Sequence, residues 1–274
     1  MFGEQGITIR KPAVAGSFYS SDPIQLADEI KTYINKTNEK KSVSGIISPH
    51  AGFMYSGTVA GSVYSAIKIP ETVILVGPNH TGKGPNASIM AKGQWKSPLG
   101  SVEIDTELAN LIVSNESILK IDTQAHLGEH SLEAQLPFLQ FFQKDLNIVP
   151  ICLKRISFEQ CESIGQAITN SIRQHTKKVL IVASSDMSHF ETHENTVKKD
   201  RMAIDEILNL DPKGLDNIVR QNQITMCGVN PAIVMLTAST QLGANQANLI
   251  KYKTSGEVNG DMNRVVGYAG MTVK

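Results

Sequence analysis

Three short runs of this chain are apolar without alternation and then turn polar within a few residues. Val179 to Val182, Gly45 to Ile47 and Val73 to Val76 each read as a strand buried on both faces, the condition of a parallel sheet covered by helices. Such strands need crossover connections, so the pattern restricts the chain to an α/β architecture. The first run ends in Ser184-Ser185-Asp186, with His189 close behind; the others end in Ser48-Pro49-His50 and Gly77-Pro78-Asn79-His80. Proline cannot extend a ladder, so those two strands stop there. Ligands of open α/β sheets bind outside the carboxyl ends of the strands, and three exits carrying imidazoles describe one site assembled from distant segments. Taken singly, each histidine also suits an ordinary loop position.

The remaining segments supply the crossovers. Arg10 to Ser20 reads as a strand or ordered arm, and Ser21-Asp22-Pro23 starts a helix to about Asn35 with Leu26, Ile30 and Ile34 on one face. Lys36 to Ser44 is a lysine-rich solvated loop. Ala51 to Gly57 reads as a loop entering a helix from Thr58 to Ile67, whose small residues let it lie close to the sheet. Asp105 caps a helix through about Val113, and Trp95 between short strands serves packing. Asn147 to Leu153 is a further buried strand, followed by an amphipathic helix from Ser157 to His175. Helices over Thr196 to Leu210, Lys213 to Gln221 and Pro231 to Leu242 follow, the last capped by Asn230, before strands at Leu249 to Thr254 and Val265 to Val273. No internal repeat or linker interrupts the chain. The expectation is one α/β domain over residues 1–274, with a mostly parallel or mixed central sheet flanked by helices.

Charge and cysteine usage exclude several classes. Lys plus Arg equals Asp plus Glu at 26 each, which argues against a nucleic-acid or anionic-membrane partner. No apolar run is long enough to span a bilayer and the N-terminus lacks a signal-peptide core, so the expected compartment is the cytoplasm. Cys152, Cys161 and Cys227 show no CxxC spacing. Cys152 and Cys161 fall on core positions. Cys227 lies in the turn Met226-Cys227-Gly228-Val229-Asn230-Pro231 before a helix, where the helix N-terminus favours a thiolate.

His50, His80, Asp186, His189 and Cys227 are therefore the chemical candidates, with His126, Glu129 and His130 as outer possibilities. Two imidazoles and one anionic side chain suffice to hold a divalent metal with open positions. Asp186 as the anion suits Fe(II), whereas Cys227 makes a softer site for iron, copper or zinc. Without metal, Cys227 and one imidazole could form a nucleophilic pair. His126-Leu127-Gly128-Glu129-His130 matches the H-x-x-E-H pattern of some zinc peptidases, but that chemistry needs a continuous helix and Gly128 weakens one by about 1 kcal/mol. A loop carrying Glu129 or His130 toward the strand exits is the favoured reading.

Longer motifs at these residues resemble the Memo family: PHAGFMYSG at Pro49 to Gly57, GPNHTG at Gly77 to Gly82, EHSLEAQLPFL at Glu129 to Leu139, SSDMSHF at Ser184 to Phe190 and MCGVNP at Met226 to Pro231. KPAVAGSFY near the start and RVVGYAGM near the end extend the resemblance over nearly the whole chain. It implies an α/β fold similar to the class III extradiol dioxygenases, which use non-haem Fe(II). It also implies that His50, His80 and Cys227 line a metal pocket, with Asp186 and His189 beside them; for an enzyme, the expectation is His189 as general acid/base oriented by Asp186. Where the dioxygenases close their triad with a carboxylate this pattern offers Cys227, so extradiol cleavage is not carried over. A thiolate fits redox chemistry or copper handling. The expected function is a metal-binding, iron- or copper-dependent redox enzyme acting on a small molecule. The alternative is a non-catalytic module holding a peptide or protein in the same cleft. In prokaryotes the family also occurs alongside a radical-SAM protein, a possible partner, and in animals it is linked to signalling.

Overall fold

The apolar runs meet as neighbours. In the computed structural model, which describes residues 8–35 and 39–274, the strands Asn147–Leu153, Thr72–Pro78, Val179–Ser184 and Gly45–Ser48 lie side by side in that order, all parallel. Gly100–Ile104 continues the parallel set beyond Asn147–Leu153. On the opposite side Val265–Val273 runs antiparallel to Gly45–Ser48, placing Met271 opposite Ile47, and pairs also with Ala247–Thr254. The sheet is thus mixed, with a parallel centre. Every side chain from Val73 to Val76 and from Leu180 to Ala183 is fully covered; burial at about 1.5–3 kcal/mol for each large apolar side chain stabilises this centre.

Helices flank the sheet. Val229–Gln241 touches three of the central strands and packs against Phe158–Gln174, whose start is fixed by a reciprocal Ser157–Gln160 capping box. Phe53–Ala66 contacts the strands Gly45–Ser48, Ala247–Thr254 and Val265–Val273, and also the helices Pro23–Tyr33 and Leu136–Phe142. The buried apolar side chains form one continuous core. Trp95, Cys152 and Cys161 are buried in it, as their sequence contexts suggest. No helix among the described residues is long and apolar enough to cross a membrane.

Several boundaries differ from the sequence reading. The helix after His50 begins at Phe53, five residues early, because Ser56 and Gly57 are not loop formers here. A Cβ at Gly57 would lie 2.6 Å from Tyr33 Cε2 and one at Gly61 2.5 Å from Tyr33 O, so the glycines seat this helix against Pro23–Tyr33 as well as the sheet. Pro137 falls in the first turn of Leu136–Phe142, after a 3-10 turn at Glu133–Gln135, where a missing N–H costs nothing. The helix expected from Thr196 spans His193–Leu208, with Thr192 as its cap. Asn230 lies inside Val229–Gln241 and donates to the Lys154 carbonyl at 3.1 Å, so it is not the cap; Gly228 is. Of the lysine-rich segment, residues 36–38 lie outside the described residues, as does the N-terminal stretch 1–7.

Candidate functional site

The parallel order puts the carboxyl ends of Thr72–Pro78, Val179–Ser184 and Gly45–Ser48 next to one another, and with them His80, Asp186 and His50. Register joins the two inner exits: Ser48 stands opposite Ser184, and the Ser185 N–H donates to the Ser48 carbonyl at 3.0 Å. The His50 N–H then donates to Asp186 Oδ1 at 2.8 Å. The carboxylate is thereby spent on holding the chain that carries His50.

The His50 ring is fixed by a buried polar chain. Tyr64 OH donates to Gln135 Oε1 at 2.8 Å, Gln135 Nε2 donates to Ser184 Oγ at 2.8 Å, and Ser184 Oγ donates to the Ser131 carbonyl at 2.6 Å. The one hydroxyl proton of Ser184 is committed to Ser131, so at 2.8 Å from His50 Nδ1 its oxygen accepts, and the ring carries its proton on Nδ1. The lone pair of Nε2 therefore faces outward, 3.3 Å from Cys227 Sγ. His80 is anchored likewise, by an anion. Its Nδ1 lies 2.9 Å from Glu129 Oε1 and its N–H donates to Glu129 Oε2 at 2.5 Å. His130 stacks on His80 with ring centroids 4.6 Å apart and has Nδ1 3.5 Å from the same Glu129 oxygen. One ring nitrogen each of His50, His80 and His130 lies within 4.8 Å of the others. Glu129 is held in turn by the Ser131 N–H at 2.9 Å. Behind it, fully buried Arg10 donates to the His126 and Glu129 carbonyls at 3.1 and 2.6 Å and pairs with Glu133.

Burial and charge set the protonation states. Burial lowers His50 well below the usual imidazole value, and the neighbouring His80 and His130 push the same way, so His50 is neutral at pH 7. Burial alone would raise Glu129, but the hydrogen bonds and charge of His80, the Ser131 N–H and the charge of His130 outweigh it and hold the carboxyl at about 2. Burial raises Asp186 against the opposing N–H groups of His50 and Ala51. Burial, reinforced by Asp186, pushes the Cys227 thiol above its ordinary range. The expectation of a thiolate at the helix N-terminus is corrected on this point: desolvation beats the helix end, and Cys227 is a thiol in the metal-free protein.

His50, His80 and His130 thus converge, and Cys227 meets this cluster through His50, 3.3 Å from its Nε2. Asp186 lies at the base, where its N–H donates to Cys227 Sγ at 3.3 Å. His189 is oriented by Thr225 instead of Asp186: its N–H donates to Thr225 Oγ1 at 2.8 Å, and its Nδ1 is 3.0 Å from the Thr225 carbonyl. A carbonyl only accepts, so Nδ1 is protonated and Nε2 carries the lone pair. His126 points elsewhere, with Nδ1 3.4 Å from buried Cys152 Sγ and its ring against Trp95. The helix Gln124–Leu127 ends before Gly128, so the two histidines of the H-x-x-E-H pattern never share a helical face, and the peptidase arrangement is not formed. Ser184, Gln135 and the anchoring role of Glu129 escaped the sequence reading. Their available signal was polar side chains within apolar runs, which when buried must have partners.

A cavity of about 570 Å³ opens beside the cluster, with His80 and Cys227 in its wall. The protein-family model described as Memo-like protein matches residues 10–272. A MEMO1 family protein of Methanopyrus kandleri is 38% identical over 97% of this chain and 99% of its own length. One from Sulfolobus acidocaldarius is 40% identical, covering 95% and 97%, and one from Methanosarcina barkeri 42% identical, covering 97% and 100%. Among solved structures, an uncharacterized protein of Escherichia coli K12 superposes with a TM-score of 0.52 at 10% identity, covering 84% of this chain and 99% of that one. That similarity concerns the fold.

Proposed function

The chain belongs to the Memo family, and we propose that it is a metal-dependent redox enzyme holding one metal ion on His50, His80 and Cys227 and acting on a small molecule beside them. The observation supporting this reading is a cluster of prepared donors: ring nitrogens of His50, His80 and His130 lie within 4.8 Å of one another, and Cys227 adjoins His50. His50 and His80 each have Nδ1 engaged with the protein, by Ser184 and Glu129, which leaves Nε2 for a ligand bond. This is the outer support that metal-ligating histidines use. Cys227 Sγ stands 3.3 Å from His50 Nε2 on one side, and His130 adds a further imidazole on the other. A donor set of imidazoles and one sulfur suits iron, copper or zinc, and iron or copper would supply one-electron chemistry. Around it, Asp186 fixes the backbone of His50 and positions Cys227, and His189, with Nε2 free, serves as the proton acceptor or donor at the rim. Nothing in this donor set calls for extradiol cleavage, because the carboxylate nearest His80 is occupied in anchoring it.

The test is anaerobic loading of the protein with Fe(II), Cu(I) or Zn(II), desalting and elemental analysis, for the wild type and for His50→Ala, Cys227→Ser and His130→Ala. Stoichiometric metal in the wild type and its loss in His50→Ala and Cys227→Ser is the expected result. Retention in both refutes the assignment. The oxidoreductase part fails separately if the loaded protein consumes no oxygen and turns over nothing with catechols, thiols or cell extract.

A further inference from the structure

The cavity beside the cluster carries its own chemical signature. Its wall includes the apolar Leu153, Ile156, Val219, Ile224 and Met226 alongside polar side chains, so a ligand there would meet apolar and polar surface in comparable measure. The charged residues on it are Lys154, Arg155, Arg220 and a single carboxylate, Asp216. That carboxylate is taken: Arg220 Nε donates to Asp216 Oδ1 at 2.7 Å and Lys213 Nζ lies 3.9 Å from the other oxygen. Lys154 Nζ is tethered to the Gly84 carbonyl at 2.7 Å, a contact that does not neutralise it. Arg155 is exposed and makes no hydrogen bond or ion pair among the described residues. Three cations against one carboxylate leave a surplus of two positive charges around a concave space with a partly apolar wall. Low-dielectric walls focus such a field instead of letting water dissipate it. The backbone of Val229 and Asn230 at the start of the helix Val229–Gln241, which lacks a side-chain cap, adds partial positive charge at the same wall.

We propose that this cavity receives an anionic small molecule with an apolar body, its carboxylate or phosphate seated on Arg155 and Arg220 and its body directed toward His80 and Cys227. The inference rests on the functional reading above only in calling this molecule the substrate; the binding itself needs no metal. Guanidinium groups present forked donors that match both kinds of oxyanion, so one binding chemistry serves carboxylic acids and phosphate esters.

The experiment uses chelator-treated full-length protein titrated with phenylacetate, phenyl phosphate and the neutral phenylacetamide, followed by ligand-detected NMR. At least one anion should bind roughly tenfold or more tightly than the amide, the value expected from one charge-assisted contact. Arg155→Glu should abolish that preference with no change in melting temperature, because Arg155 is exposed and unpaired among the described residues. Stronger binding of phenyl phosphate identifies a phosphate ester as the substrate type, and stronger binding of phenylacetate a carboxylic acid. The proposal is overturned if the amide binds as well as the acids, if neither anion binds, or if Arg155→Glu leaves anion affinity within about twofold, which is less than one such contact contributes. Because the readout is metal-free, its failure leaves the metal-content test of His50→Ala untouched, and the reverse also holds.

Discussion

Replacing His126 with leucine should make the metal-free protein more tolerant of acid while leaving metal binding intact. The side chain is fully buried, and among the described residues its Nε2 has no hydrogen-bond partner and its Nδ1 meets only Cys152 Sγ, at 3.4 Å. Burial lowers its pKa from 6.5 to about 4, with Asp122 and Glu129 pulling upward and Arg10 downward. Between those two values the unfolded chain binds more protons than the folded one, so acid favours unfolding. The stability of the neutral form is fully present above about pH 6.5 and is lost as pH falls through about 4. The difference, 6.5 minus about 4, is about 2.5 units, or about 3 kcal/mol at 1.36 kcal/mol per unit. For a chain of this size that is about 6 °C in melting temperature. His50 and His130, also lowered by burial, act in the same direction, whereas Asp186 and Asp200, raised by burial, act against it. The informative quantity is therefore the difference between variant and wild type, measured by calorimetry. Leucine should be nearly neutral at about pH 7.5, where it removes an unpartnered nitrogen and one weak contact to Cys152 Sγ, and should melt about 6 °C higher than the wild type at about pH 4. An equal difference at both pH values refutes the buried neutral imidazole. Loss of metal in this variant would instead bring His126 back to the site.

Two further substitutions probe the supports of the cluster. Glu129→Gln replaces one carboxylate oxygen by an amide NH₂ where the N–H groups of His80 and Ser131 and the His80 ring all donate, so one donor is left facing another. Metal affinity in a chelator competition should fall about 10–100-fold, and an unchanged value would show that the carboxylate does not orient His80. Gly77→Ala places a Cβ 2.6 Å from Leu132 Cδ2 and 2.8 Å from Ser131 Oγ, which itself donates to the Pro78 carbonyl. Denaturant unfolding should show a loss of about 1–3 kcal/mol.

The sheet was legible because its central strands are buried on both faces, and continuous β-branched runs with proline or polar stops have few other uses. That His50 would stand beside Asp186 and Cys227, with His80 next to His50, was to be expected from strand exits together with the family pattern. His130 was less legible: its place depends on the 3-10 turn at Glu133–Gln135 and on Arg10 gripping two carbonyls from across the chain, and neither leaves a local signature. The Asp186–His189 pairing failed for a related reason. Three residues of spacing suggest contact, but Asp186 turns back to the His50 N–H while His189 enters a short strand, His189–Glu191, beside Val265–Val273, facing Thr225. Spacing fixed neither direction.

The two imidazoles at the strand ends are anchored by acceptors of opposite character, and this bears on which group completes the metal site. His50 ends on the neutral Ser184 hydroxyl and is buried; His80 ends on a carboxylate that stays anionic down to about pH 2. A carboxylate makes the opposite ring nitrogen more basic and a hydroxyl hardly does, so His80 is the stronger donor and His50 the weaker. The weaker one faces Cys227. A neutral His50 beside a neutral thiol gives little charge to a cation until the thiol loses its proton, and burial makes that loss unfavourable without metal. Sulfur ligation must therefore release about one proton per metal bound near neutral pH, whereas ligation by an already neutral imidazole of His130 releases none. Proton release measured in weakly buffered titrations distinguishes the two: about one proton in the wild type, vanishing in Cys227→Ser, places sulfur on the metal, and none in the wild type gives the third position to His130.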